Sequence, residues 1–221
     1  MESVRLTLTF CAIYENININ NLPLRICIYK RCNFASISAN LVVRALEKRE
    51  GIPKEEAIKK IWLKDSKGLI VKGRPEGGIN EHKAPFAQDH EPIQDLGEMV
   101  KVLKPSVIIG AAAVPGVFTQ EIIEDMARMN KHPIIFALSN PTHKAECTAE
   151  QAYKWTEGRA IFASGSPFPD YEINGKIYKP GQGNNAYIFP GVALATICCG
   201  IHHISDDIFL ASAEALAGKQ V

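Results

Sequence analysis

From Asn40 onward the sequence predicts an α/β protein built on a doubly wound, mainly parallel sheet. Three observations predict it. Short apolar runs alternate with stretches of helical period. The runs are continuous rather than alternating, so each strand is expected to be buried on both faces beneath helices. Four runs end in loops of small or polar residues: Asp65-Ser66-Lys67, Gly110-Ala111-Ala112, Ser139-Asn140-Pro141 and Ser164-Gly165-Ser166. Ligands of open α/β sheets bind beyond the carboxyl ends of the strands, where such loops stand.

Taken in order, residues 1–38 read differently from the rest. Two β-prone runs, Leu6–Tyr14 and Leu22–Tyr29, flank an Asn-rich stretch, and no core pattern ties them to the remainder of the chain. A hairpin or a poorly ordered segment is expected there. Leu41, Val42, Ala45 and Leu46 keep a helical period that Gly51 ends, and Pro53-Lys54-Glu55-Glu56 opens a second helix. Ile61–Asp65 is a short strand ending in an acid, and Leu69–Val71 resumes extended structure after a turn. Residues 74–90 read as loop and Pro92–Lys104 as an amphipathic helix. A strand at Ser106–Gly110, a helix at Phe118–Asn130 and a strand from Pro133 to Ser139 come next. Then come a helix at Ala149–Thr156, a strand at Ala160–Ala163, and two closing helices at Tyr187–Cys199 and Asp206–Ala217.

A chain of 221 residues can bury one sizeable core, and its net charge of +1 gives no electrostatic footprint for nucleic acid or a membrane surface. No apolar run is long enough to span a bilayer, and the N-terminus is not a convincing signal peptide. The six cysteines form no C-x-x-C pair, so reduced intracellular thiols are expected rather than disulfides or a zinc site. Glu146 and Glu150, four residues apart, and the adjacent Asp206 and Asp207 are read as helix-terminus charges rather than metal ligands. Ser164 and Ser166 do not make a nucleophile elbow, because Ala163 precedes and Pro167 follows.

Asp65 closes its strand where an acid can accept hydrogen bonds from an adenosine ribose. Ser66, Lys67 and, further along the loop, Lys83 would favour a 2′-phosphate there, and so NADP over NAD. The same Asp-Ser-Lys-Gly run also reads as a solvated turn. Asn140 carries a donor and an acceptor to a strand tip, suited to a hydroxyl or carboxylate, and Asn-Pro is equally an ordinary turn signal. A second amide-bearing loop lies at Gly181–Asn185. The first βα loop, Lys30–Ser38, holds none of the glycines that a pyrophosphate-binding turn uses.

Five blocks then carry a resemblance: Lys59–Arg74 (KKIWLKDSKGLIVKGR), Lys104–Gly110 (KPSVIIG), Pro133–Tyr153 (PIIFALSNPTHKAECTAEQAY), Gly158–Phe168 (GRAIFASGSPF) and Pro180–Leu194 (PGQGNNAYIFPGVAL). They are collinear, and together they resemble malic enzymes of the animal type over residues 39–221. The resemblance implies a Rossmann-like NAD(P)-binding domain, here incomplete at both ends, preceded by a non-matching segment at 1–38. It implies oxidative decarboxylation of L-malate to pyruvate and CO2 with NADP or NAD and Mg2+ or Mn2+. Asn140, Asn184 and Asn185 match residues that contact malate, and Asp65 matches the ribose acid. Ser66, Lys67, Ala111 and Asn140 fall on the cofactor side. Lys83 is the candidate for the lysine that selects NADP, with Glu76–Gly78 reading as a short insertion before it. The family's members form homotetramers, and a cytoplasmic or mitochondrial location is implied. The family's catalytic tyrosine, lysine and arginine and its three metal-binding carboxylates match nothing in residues 1–38. No catalytic or metal-binding residue is therefore assigned, and the isolated chain is expected to be inactive or to serve as a nucleotide-binding remnant or partner subunit.

Overall fold

The computed structural model describes residues 24–30 and 35–217. Strands β1 (Ile26–Lys30), β2 (Ile61–Asp65), β3 (Gly68–Leu69), β4 (Val107–Ala111), β5 (Ile134–Ala137) and β6 (Ile161–Ser164), with the short β9 (Gly181–Gln182), form one sheet in the order β3-β2-β1-β4-β5-β6-β9. Every pairing is parallel except β2 with β3. A two-stranded ribbon of β7 (Tyr171–Ile173) and β8 (Lys176–Tyr178) stands apart from it. The α/β, doubly wound, Rossmann-like arrangement expected from the sequence is the one observed.

Helices cover both faces. Helices α1 (Ala35–Glu50) and α2 (Lys54–Lys59) join β1 to β2, and α3 (Leu96–Leu103), α4 (Gln120–Met129) and α5 (Ala149–Trp155) precede β4, β5 and β6. Helices α6 (Phe189–Cys198) and α7 (Asp206–Ala217) close the chain. One core layer packs Val42, Val43 and Leu46 of α1 and Leu210 of α7 against Ile26, Ile28, Leu63, Ile109 and Phe136. The other packs Met99 and Val100 of α3, Ile123 and Met126 of α4 and Tyr153 of α5 against Cys27, Ile108, Ile135 and Phe162. Successive residues of β1 thus point to opposite layers, as the two-residue period of a strand requires.

The start signals act as their chemistry dictates. Asp95 and Thr119 accept from the backbone N–H three residues on, at Glu98 and Ile122, and Thr148 with Gln151 forms a reciprocal capping box. Gly51 (φ +63°) takes the left-handed conformation that ends α1. Arg44 reaches Asp207 (2.8 Å) and Arg49 reaches Glu214 (3.3 Å), seating α7 on α1.

One expectation is corrected. The run Leu22–Tyr29 was expected to lack any tie to the core, yet Leu24, Ile26, Cys27, Ile28 and Tyr29 are buried, and β1 lies between β2 and β4 in mid-sheet. A single β-prone run gives no sign of its partners; those stand 35 and 81 positions away in register, Ile26 facing both Ile61 and Val107. The expected hairpin partner Leu6–Tyr14 and the loop residues 31–34, where a phosphate-binding turn would stand, lie outside the described residues.

Candidate functional site

All parallel strands point their C-terminal ends to one edge of the sheet. Along that edge stand Asp65, the end of β1, Ala111, Ser139-Asn140, Ser164–Ser166 and Gly183–Asn185, in that order. The connections leave in opposite directions on either side of β1 and β4, which makes the gap between their tips the switch point of the sheet and its natural crevice.

At one end of this edge lies a cationic cluster. Arg74 is buried and forks onto Asp65, with Nη1 to Oδ1 at 2.8 Å and Nη2 to Oδ2 at 3.1 Å. Lys83 Nζ donates to Oδ2 at 2.8 Å, and the Lys67 N–H donates to Oδ1 at 2.9 Å. Four donors thereby fill the four lone-pair sites of the Asp65 carboxylate. Burial alone would raise its pKa, but Arg74, Lys83 and the Lys67 N–H outweigh that and hold the carboxyl below the ordinary range. Lys67 Nζ donates to the Glu76 carbonyl (2.8 Å), and Lys83 Nζ also approaches the Gly78 carbonyl (3.4 Å). Both ammonium groups are thus held by the same 76–78 loop. Lys64, one residue before the acid, is buried, with Nζ 4.4 Å from the centre of the Tyr29 ring and its charged form disfavoured by burial. Ser66 is exposed beside the cluster.

At the other end the groups are neutral. Asn140 Oδ1 accepts from Ser166 Oγ at 2.6 Å, and Asn184 Nδ2 donates to the Gly165 carbonyl at 3.5 Å. The loop after β6 therefore holds one amide on each side. Gly165 is glycine for a steric reason: a Cβ there would overlap the Leu138 carbonyl and lie 2.5 Å from Asn140 Oδ1. Asn184 also accepts from the Ala186 N–H (3.0 Å). Asn185 opens a short turn, Asn185–Tyr187, and its side chain lies outside the described residues.

Between the two ends sits a residue whose sequence context points elsewhere. Glu146 reads in sequence as a helix-terminus charge; it is instead fully buried, three residues before α5 begins. Its Oε1 accepts from the Ala112 N–H (3.0 Å) and from the Ser139 hydroxyl, while Ser139 Oγ accepts from the Ala113 N–H (2.8 Å). Burial raises its pKa against the opposing pull of these donors. Arg74 likewise carries no signal in the sequence, whereas the sequence marks Ser139 only as part of a strand-tip loop and not as a partner of Glu146. A buried arginine and a buried glutamate leave no periodicity to find, and both partners of each are set by tertiary contact.

The residues expected to bind cofactor and substrate thus fall on one edge of the sheet: Asp65, Ser66, Lys67 and Lys83 at one end, Ala111 beside the switch point, Asn140 and Asn184 at the other. The buried thiols Cys27 and Cys147 are pushed up by burial, Cys27 to about 12, and are poor nucleophiles. Among the described residues, no group of three or more His, Cys, Asp or Glu side chains could hold a metal ion, and no helix is long and apolar enough to cross a membrane.

A family model described as the malic enzyme, NAD binding domain, matches residues 34–220. The NADP-dependent malic enzyme of Anas platyrhynchos is 61% identical over 180 residues, 81% of this chain and 32% of that relative. The mitochondrial NADP-dependent malic enzyme of Mus musculus is 56% identical over 200 residues, 90% of this chain and 33% of its own length. The crystal structure of Entamoeba histolytica malic enzyme superposes with a TM-score of 0.69 at 24% identity, covering 96% of this chain and 39% of that one, a likeness of fold. The chain spans about a third of the length of these curated relatives.

Proposed function

The chain belongs to the malic enzyme NAD-binding domain family, and from that premise we propose that it forms the cofactor-holding part of an enzyme that oxidatively decarboxylates L-malate to pyruvate and CO2 with NADP. The observation that carries the cofactor choice is the cation cluster at the tip of β2. Arg74 and Lys83 set two positive charges on the one carboxylate of Asp65, and the Lys67 ammonium stands close by on the Glu76 carbonyl, a surplus suited to a 2′-phosphate dianion. On this reading Asp65 acts first as the anion that holds Lys83 in place. Its lone pairs are taken, so a ribose hydroxyl reaches it by displacing one of the four donors. Lys83 is the readiest to leave, because its ammonium makes point contacts while Arg74 is held at five.

Bound along the edge, the dinucleotide would supply the hydride-accepting chemistry that oxidation of malate at C2 needs. The chain's own part is to orient the substrate. Asn140 and Asn184, hooked to the 165–166 loop, present neutral amides to a hydroxyl and a carboxylate beside the tips of β5 and β6. The groups bonded to these amides are a hydroxyl, a carbonyl and a backbone N–H, none of them a general acid or base at neutral pH. The described residues also do not fit a divalent cation. On this reading the isolated chain binds dinucleotide without turning malate over, and the exposed apolar α6 favours a role beside a longer partner.

Titration of the full chain with NADPH and NADH, followed by nicotinamide fluorescence, tests the proposal. NADPH is expected to bind more tightly. Lys83→Gln is expected to erase roughly tenfold or more of that preference, since a hydrogen bond to a charged group contributes about 1.5–3 kcal/mol. Equal affinity for the two cofactors would overturn the NADP assignment, and robust NADPH formation from malate, NADP and Mn2+ would overturn the expected inactivity.

A further inference from the structure

Glu146 ties together two loops that the proposed site uses for different ligands. The loop after β4, Ala112 to Phe118, is strapped along its length by residues 145–146. The Gly116 N–H donates to the Ala145 carbonyl (3.3 Å), the Phe118 N–H to the Glu146 carbonyl (3.1 Å), and the Ala112 N–H to the Glu146 carboxylate (3.0 Å). The loop after β5 joins the same carboxylate through Ser139, whose hydroxyl donates to Oε1 and whose N–H approaches Oε2 at 3.4 Å. Ser139 Oγ returns the link by accepting from Ala113. Ala113 has φ +53°, a conformation that a side chain disfavours and that neighbouring contacts must therefore hold. Gly110 makes room for the arrangement, because a Cβ there would overlap Glu146 Cγ and Cδ. A carboxylate is costly to bury where a neutral side chain could fill the same space. What it supplies here is acceptors for amides on two different loops.

We propose that Glu146 is a positioning residue that locks the loop after β4 to the loop after β5 and so couples dinucleotide contact at Ala111–Ala113 to substrate contact at Asn140. The proposal rests on the assignment of cofactor and malate to this crevice. Asn140 follows Ser139 directly, so a displacement at Ala112 or Ala113 passes through Glu146 and Ser139 to the amide. Removing the carboxylate leaves each loop its own strand but takes away their common anchor.

The test uses the full chain, E146Q, and S139A as a smaller change that keeps the carboxylate. Amide hydrogen exchange is read at Ala112 and Ala113, and NADPH affinity is read with and without saturating malate. In the unaltered chain both amides are expected to be protected, and malate is expected to change NADPH affinity about fivefold, the low end for linked sites. E146Q is expected to speed exchange at Ala112, S139A at Ala113, and each to bring the malate effect close to onefold. A residue that merely fills space would lower the unfolding midpoint and leave that ratio unmoved. A ratio preserved in E146Q, or absent from the unaltered chain, overturns the coupling. If the unaltered chain binds no dinucleotide, the reading of the site falls, and the exchange arm decides the lock by itself: unchanged exchange at both amides overturns it.

Discussion

Arg74→Met tests how much of the β2 tip depends on one buried cation. Methionine keeps much of the apolar stem and removes five hydrogen bonds: two to Asp65 (2.8 and 3.1 Å), one to the Gly68 carbonyl (3.2 Å) and two to the Gly77 carbonyl (3.0 and 2.6 Å). The pair is buried, with 1% of the Arg74 side chain and 7% of the Asp65 side chain exposed, so solvent does not replace what is lost. Breaking a buried ion pair from one side costs about 3–5 kcal/mol. Lys83 and the Lys67 N–H still hold the carboxylate, which places the expected loss at the lower end, about 3 kcal/mol. With a urea slope near 2 kcal/mol/M, the midpoint followed by far-ultraviolet circular dichroism should fall by about 1.5 M. The pH dependence adds a second reading. The Asp65 pKa is lowered in the folded state from 3.8, so its stabilisation is present above that value and is lost as pH falls through the folded pKa. In R74M that acid limb should move to higher pH. A midpoint shift below about 0.5 M with an unmoved acid limb would show that the pair behaves as an exposed one and that Arg74 does not organise the tip.

Glu146 should leave the opposite signature. Its folded pKa lies above the ordinary 4.5, so stability falls as pH rises through the interval between those values, and E146Q should abolish that slope in urea midpoints measured from pH 4 to 8. Gly165→Ala places a methyl against the Leu138 carbonyl and Asn140 Oδ1; it should destabilise the chain by roughly 1–3 kcal/mol by thermal unfolding, and a neutral result would mean that the loop after β6 does not support Asn140. Helix α6 carries no charge and leaves Phe189, Leu194 and Ile197 at 44%, 64% and 78% exposure, so the chain should self-associate, and L194E/I197E should shift it toward monomer in sedimentation velocity; a monomeric unaltered chain would contradict this.

The fold was legible because the strand and helix signals are local. The runs Ile61–Asp65, Ser106–Gly110, Pro133–Ser139 and Ala160–Ala163 read as strands in sequence, and β2, β4, β5 and β6 stand on them in space. The helices that start at Lys54, Gln120, Ala149, Phe189 and Asp206 begin close to where the sequence places them, while α1 begins at Ala35, ahead of the Asn40 from which its helical period reads. β1 escaped because its signal is not local. Ile26-Cys27-Ile28-Tyr29 is too short to declare a role, and what makes it central is contact with β2 and β4, whose partners in register are far along the chain. A parallel strand shares no hairpin with its neighbours, so no turn signal points from one to the next.

The candidate site divides along the same line. Asp65 and Asn140 could be singled out because each ends an apolar run, and position at a strand tip is a short-range property. Arg74 and Glu146 lie in polar stretches that read as loop and as a helix terminus, yet both are buried and each ties together segments of the sheet's edge. Arg74 braces the 68–77 turn against Asp65, and Glu146 braces the loop after β4 against the loop after β5. Each brace costs desolvation and recovers it through bonds made only once the tips are assembled. A charge of this kind has no helical or strand period and no solvent to face. Its meaning lies in the distance between loops, which is a property of the folded sheet rather than of any window of sequence.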